Sequence, residues 1–385
     1  MHRSWRVVAL SALLSFGTAA VLAVTLSDEP DGAYRAWADH LQQVAGDEAD
    51  APAGEEDTAV AEALLLVVTD EDGKGSAFAV VSEAEDGSAL LAVVPGSLYE
   101  LLPGYGIFPI ADALTFEGPQ LAALAVENTL GIDVGAEIAV AASDLAELIG
   151  ADVVVNLPNP LLDEEEDGTI VRLAAEGDLL RDPQVLDALF TNRGSGELLA
   201  YLERQVAAWE GLVAHVAADD ALAASVAARA SGDSALAASL ISAAGTGLEV
   251  TLVPVGQVGG GEDEGFQPKS DEMADFVERR MPQLALWSGE RPRAEILNGN
   301  GRLTTTREVA EILVGRGLRV VRTDNAESFD FESTVVLAQG EEHTDLARQV
   351  VTMLGTGELR LEAEAPSGIV DVSIIVGHDI PTGGG

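Results

Sequence analysis

The sequence predicts an α/β protein: an N-terminal apolar helix, a mixed α/β domain with a central sheet, then a smaller α/β domain. Three observations carry this prediction. Apolar residues make up 47% of the 385, enough for sizeable cores. Short apolar runs bounded by Asp/Gly turns alternate with segments of helical period. A Gly-rich acidic stretch, Gly256 to Asp271, divides the elements into two sets.

The elements follow in order. Arg3 and Arg6 precede Val7 to Thr25, which carries no charge, and Asp28 and Glu29 come directly after. Such a helix is ~28 Å long, close to the ~30 Å hydrocarbon core. Basic residues before it and acids after it place the N-terminus in the cytoplasm and the bulk of the chain outside. Residues 1–26 are therefore read as a cytoplasmic tip and a signal-anchor, giving a single-pass protein of the cell membrane. The alternative is a cleaved signal peptide ending near Val21-Leu22-Ala23, which exports the chain equally. Residues 27–57 form an acidic stalk.

Residues 58–258 form the larger domain. Ala63–Thr69, Ala77–Glu83 and Ala89–Pro95 are three strands in hairpin-like order. Gly118–Leu130 and Ser143–Ile149 are helices, with Ser143 a candidate N-cap. Ala151–Pro158 reads as a further buried strand, and Asp163–Gly168 as a solvated turn. Helices follow at Asp182–Phe190 and Gly196–Ala217, then two Ala-rich ones divided at Ser231-Gly232-Asp233. Leu248–Val255 returns to strand. Residues 259–292 read as a Gly-rich acidic linker with a short helix at Met273–Met281. Residues 293–380 alternate strand and helix in a small α/β domain, and 381–385 are a flexible tail.

With 65 acidic residues against 21 Lys and Arg, the formal charge is −44. Such a surface repels nucleic acid, which is excluded as a partner. The absence of cysteine excludes disulfides, thiolate metal sites and a Cys nucleophile. The five histidines show no ligand spacing, so no zinc site is expected. "NGNGRLTTTREVAEIL", from Asn298, places Gly-x-Gly ahead of a helix but lacks the complete phosphate-loop and dinucleotide patterns. It reads as a tight turn in which Asn298 to Gly301 permit positive φ and Thr304 or Thr305 caps the helix, with anion binding at the helix N-terminus as the second reading.

The segment "ILNGNG", the helix "REVAEIL", "NAESFDFEST" and the closing "DVSIIVGHD" together resemble the LytR C-terminal domain over about Arg293 to Ile380. The region from Thr58 to Val258 is similar, in pattern more than identity, to a LytR-CpsA-Psr catalytic domain. Its "LGIDVGAEIAVAASDLAELIGADVVVNLP" follows the family's strand and helix spacing, and Arg204-Gln205 fall at the family's Arg-Gln helix. The resemblance implies a membrane-anchored envelope protein. It also implies transfer of glycopolymers from polyprenyl-pyrophosphate carriers to the cell wall, with arginines and an aspartate-held Mg²⁺ stabilising the diphosphate.

This chain departs from that pattern systematically. The Arg and Asp of the family's strand-end motif are Gly96 and Ser97 here. Lys74 stands alone where the family has an Arg-x-Asp pair, and Pro109-Ile110-Ala111 replaces Lys-Ile-Asn. From Val7 to Val171 the only Lys or Arg are Arg35 and Lys74. The expectation is a degenerate enzyme that binds or scaffolds in glycopolymer assembly. No catalytic or metal residue is assigned and no cofactor is expected; Arg193, Arg204 and Gln205 are the candidate residual contacts to a lipid phosphate. The partners expected are the membrane, a polyprenyl lipid or cell-wall glycopolymer, and other envelope proteins. One alternative is an active phosphotransferase using relocated Arg172, Arg181, Arg193 and Arg204 with Mg²⁺. Another makes the C-terminal domain an interaction module on an anchored spacer.

Overall fold

The computed structural model describes residues 61–84, 86–149, 153–164, 167–177, 183–193, 197–259, 264–362 and 369–381. The expected membrane helix, the stalk, Arg181 and all but the first residue of the tail lie outside the described residues. Among the described residues no helix is long and apolar enough to cross a membrane.

In chain order the first half holds β1 (Ala63–Thr69), β2 (Gly75–Glu83), β3 (Ala89–Pro95), β4 (Tyr99–Leu102), β5 (Gly106–Pro109), α1 (Pro119–Leu130), β6 (Val134–Ala141) and α2 (Ala142–Ile149). Next come β7 (Leu161–Glu164), β8 (Ile170–Ala174), α3 (Pro183–Thr191), α4 (Leu198–Ala217), α5 (Asp220–Ala227), β9 (Ser231–Gly232) and α6 (Ser234–Thr246). β10 (Leu248–Leu252), β11 (Val255–Val258), β12 (Gly265–Pro268) and α7 (Ser270–Arg280) lead into the C-terminal part. That part is β13 (Arg293–Asn298), α8 (Thr305–Val314), β14 (Arg319–Asn325), β15 (Val335–Gln339), α9 (Thr344–Leu354), β16 (Glu358–Glu362) and β17 (Val372–Val376).

The larger sheet runs β10-β3-β2-β1-β6-β9. β1, β2 and β3 pair antiparallel, while β6 lies parallel to β1 and β10 parallel to β3. β1 and β3 are nearly unbroken apolar runs because both of their faces are covered: every residue from Ala63 to Val68 and from Ala89 to Val94 is buried. α4 and α6 pack on the sheet. Asp219 and Asp233 start α5 and α6 by accepting from two backbone N–H groups each. α1 opens on Pro119 and closes on Gly131, whose φ of +75° only glycine adopts without strain.

The second sheet, β14-β13-β17-β15-β16, carries α8 and α9. Its edge strand β14 is tied to the first part by side chains. Asn128 on α1 donates Nδ2 to the Val320 carbonyl and accepts the Val320 N–H at Oδ1, both at 2.8 Å, as a neighbouring strand would. Arg291 donates to the carbonyls of Gly317, Asn128 and Leu318 at 2.8 to 3.0 Å. Residues from Val60 onward accordingly form one compact unit.

Several expectations are corrected. Val153–Pro158 does not form a strand; Val153, Val155 and Leu157 are buried and Val154 faces out, so the segment is extended against the core. Gly256–Asp271 is not a free linker: β11 and β12 pair within it, and Phe266 N–H donates to the Ser97 carbonyl at 3.0 Å. α2 starts at Ala142, so Ser143 lies inside its first turn. At the Asn-Gly-Asn-Gly turn only Gly301 takes positive φ, and Thr304 occupies the N-cap position of α8 without a side-chain capping hydrogen bond. Asn298 Oδ1 accepts from the N–H groups of Asn300 and Gly301, and Asn300 Oδ1 accepts from Arg302 N–H and Thr305 Oγ1. The N–H groups of the turn itself are thus met from within it.

Candidate functional site

The strand-end loop after Pro95 opens a cleft of about 310 Å³. β2 contributes Gly75 and Ser76, the loop contributes Gly96 and Ser97, and β5 contributes Pro109. The end of α3, the first half of α4 and the residue just before β12 complete the wall with Thr191, Tyr201, Gln205 and Glu264. Gly96 is held closely: a Cβ there would sit 3.1 Å from the Ser76 carbonyl oxygen and 3.2 Å from that of Gly75. The loop is therefore fitted against β2 by close backbone approach rather than by side chains.

Among the described residues the cleft is lined by two cations, Lys74 and Arg193. Each already has a carboxylate. Lys74 Nζ lies 2.6 Å from Asp112 Oδ1. Arg193 Nη2 pairs with Glu264 Oε2, and Gln257 Nε2 donates to the other oxygen of the same carboxylate. A second carboxylate in the wall beside Glu264, that of Asp70, accepts the N–H groups of Asp72 and Lys74 at its own turn. Each cation that lines the cleft among the described residues thus has a matching acid, and the whole chain's charge of −44 adds to the repulsion of an anion.

Of the three residues expected to touch a phosphate, Arg193 and Gln205 reach the cleft. Gln205 is buried, and its Nε2 donates to the carbonyls of Ser76 at 3.0 Å and Phe190 at 3.2 Å. It joins α4 to β2 and to the end of α3. Arg204 does not line the cleft. It is 2% exposed and donates to Asn159 Oδ1 at 2.7 Å, to the Arg193 carbonyl at 2.9 Å and to the Pro160 carbonyl at 3.4 Å. Desolvation lowers its pKa, and its work is to hold two loops to α4. Arg204→Ala is expected to cost about 2–3 kcal/mol, seen as a lower urea midpoint, with no change in anion affinity by titration. Arg172 lies exposed on β8 and does not line the cleft.

Sequence reasoning missed Asp112 and Glu264, the two acids that neutralise the cleft. Asp112 lies in a 3₁₀ turn after β5, and Glu264 sat in a run read as linker, so neither carried a motif. Among the described residues no three acids or histidines converge on one point. Asp70 and Glu264 are already engaged as described.

A second space lies between the sheet and helices α4 and α6. Leu66, Val68, Ile138, Val140, Trp209 and Leu212 are among its lining. It is a slot of about 50 Å³, the space of one or two water molecules.

Residues 291–379 match the family described as LytR cell envelope-related transcriptional attenuator, so this part of the chain is a LytR C-terminal domain. No curated protein matches the sequence. Among solved structures the chain is similar to TagV of B. subtilis, at 15% identity and a TM-score of 0.46, over 58% of this chain and 96% of that one. It is similar to a LytR-Csp2A-Psr enzyme from Actinomyces oris at 17% identity and a TM-score of 0.45, over 58% and 92%. A third is the family protein YwtF (TagT) with bound octaprenyl pyrophosphate lipid, at 14% identity and a TM-score of 0.44, over 59% and 91%.

Proposed function

We propose that the chain is a membrane-anchored extracytoplasmic envelope protein of the LytR-CpsA-Psr type that acts as a binding or scaffold partner in cell-wall glycopolymer assembly and does not itself transfer polymer. The observation that carries this reading is the neutralised cleft: Lys74 is paired with Asp112 and Arg193 with Glu264. Transfer from a diphosphate carrier builds negative charge on the leaving group. Each well-placed donor on such charge is worth about 10²–10³ in rate. Here the cations that line the cleft among the described residues, Lys74 and Arg193, are engaged with acids, and Gly96 and Ser97 occupy the positions where the sequence resemblance calls for Arg and Asp.

Two further features support a binding role. The LytR C-terminal domain at residues 291–379 ties the chain to envelope proteins. The cleft has formed walls and a volume of about 310 Å³ although its lining cations are paired with acids. A polyprenyl tail, the ligand class that the sequence resemblance brings, fits the apolar slot only if α4 and α6 part from the sheet.

The test is a transfer assay with the purified chain, a polyprenyl-pyrophosphate-linked glycopolymer, a wall acceptor and Mg²⁺. No product above the protein-free background is expected, and multiple turnovers would contradict the proposal.

A further inference from the structure

Glu264 reaches the cleft by a built route. β12 pairs with β11, the Phe266 N–H donates to the Ser97 carbonyl, and Leu98 bridges to Phe266. Gly265 allows this approach: a Cβ on it would stand 2.6 Å from the Tyr99 ring and 2.7 Å from the Ser97 carbonyl oxygen. The hairpin thus crosses the strand-end loop and delivers the carboxylate onto Arg193, with Gln257 of the same hairpin donating to its second oxygen. The Glu264 side chain is 17% exposed and that of Arg193 39%. The acid is largely covered, the guanidinium is partly open to solvent, and both form part of the cleft wall.

A carboxylate held by two donors at a guanidinium resembles an anionic ligand in its site. Because it is tethered, it competes at a high effective concentration against any free anion. We infer that Glu264 is an internal stand-in for an anionic ligand, and that the β11–β12 hairpin is an autoinhibitory strap closing a phosphate-class binding site built on Arg193. The inference rests on reading this cleft as the anion-facing site of the chain. It adds that the site is covered as well as depleted of cations. Moving the strap exposes the Arg193 guanidinium together with the cleft wall formed by Ser97, Thr191 and Tyr201.

The test is calorimetric titration of the full chain with inorganic pyrophosphate at near-physiological ionic strength, comparing the parent with Glu264→Gln and Gly265→Ala. The first keeps the shape and removes the charge; the second keeps the charge and pushes the hairpin off. Glu264→Gln is expected to tighten pyrophosphate binding by about tenfold, the worth of one displaced charge-assisted contact. Gly265→Ala shifts it in the same direction, and it carries the test should the first variant fail to fold. Adding Arg193→Gln to either is expected to abolish the gain. Binding by both variants no tighter than the parent overturns the inference, as does a gain that survives Arg193→Gln. Turnover by the parent in the transfer assay overturns the functional proposal instead, so the two failures are distinguishable.

Discussion

Asn128→Ala is expected to destabilise the protein by about 3 kcal/mol, measured as a lower midpoint in urea. The side chain satisfies both backbone groups of Val320 on the outer edge of β14, and it is fully buried. Truncation leaves an N–H and a C=O without partners, and each orphaned buried group costs about 1–3 kcal/mol. Asn128→Asp is expected to be nearly as harmful, because a carboxylate accepts the Val320 N–H but cannot donate to its carbonyl. Arg291 works beside it on three further carbonyls, and burial together with neighbouring Arg319 pulls its pKa down to about 10. Without these two side chains β14 would be an open sheet edge beside α1, and the C-terminal domain would lose its seat. A fall in stability below 1 kcal/mol for Asn128→Ala would show that apolar packing alone holds the two parts.

The second large effect concerns pH. Glu127, near the end of α1, is mostly desolvated, which raises its pKa from 4.5 to about 7. The neighbouring carboxylates of Asp133, Glu137 and Glu311 add to the rise, while the Val134 N–H donated to Oε1 at 3.0 Å opposes it. Glu137 is itself shifted upward by burial. Because the folded pKa lies above the unfolded one, the folded state holds the proton more tightly. Its contribution to stability is complete below pH 4.5 and is lost as pH rises to about 7. The loss amounts to about 3 kcal/mol. Glu127→Gln, which keeps an acceptor for Val134, is expected to raise stability at pH 8 by about that amount and to flatten the profile between pH 5 and 8. A variant whose profile still falls as steeply as the parent's would place the titration elsewhere.

The fold was legible where side-chain pattern alone decides it. Ala63–Thr69 and Ala89–Pro95 match β1 and β3 in their bounds, because strands covered on both faces must be apolar throughout. The helices of the C-terminal domain were legible from their period, and the Asn-Gly-Asn-Gly turn from its composition. What could not be read depends on partners distant in sequence. β6 contains Gly135 and Glu137 and becomes a strand because β1 lies beside it. β12 carries Gly265, Gln267 and Pro268, poor strand formers, and its place is fixed by β11 and Ser97.

The same division holds at the site. That Gly96 and Ser97 stand where the sequence resemblance calls for Arg and Asp was legible in the sequence, since it concerns residues in one motif. The pairing of Lys74 with Asp112 and of Arg193 with Glu264 joins segments 38 and 71 residues apart and belongs to the fold alone. Arg204 shows the opposite failure. Its alignment with a family position suggested a ligand contact, whereas its guanidinium is spent on Asn159 and two carbonyls inside the protein.

The most direct measurement compares the affinity of the purified chain for farnesyl pyrophosphate and for farnesol, with Mg²⁺ present. If the cleft offers a diphosphate no uncompensated cation, the two ligands bind equally within about a factor of three, well under 1 kcal/mol. Pyrophosphate-dependent binding a hundredfold tighter than that of the alcohol would contradict the account, because it would require a cluster of free cations at the Gly96-Ser97 loop.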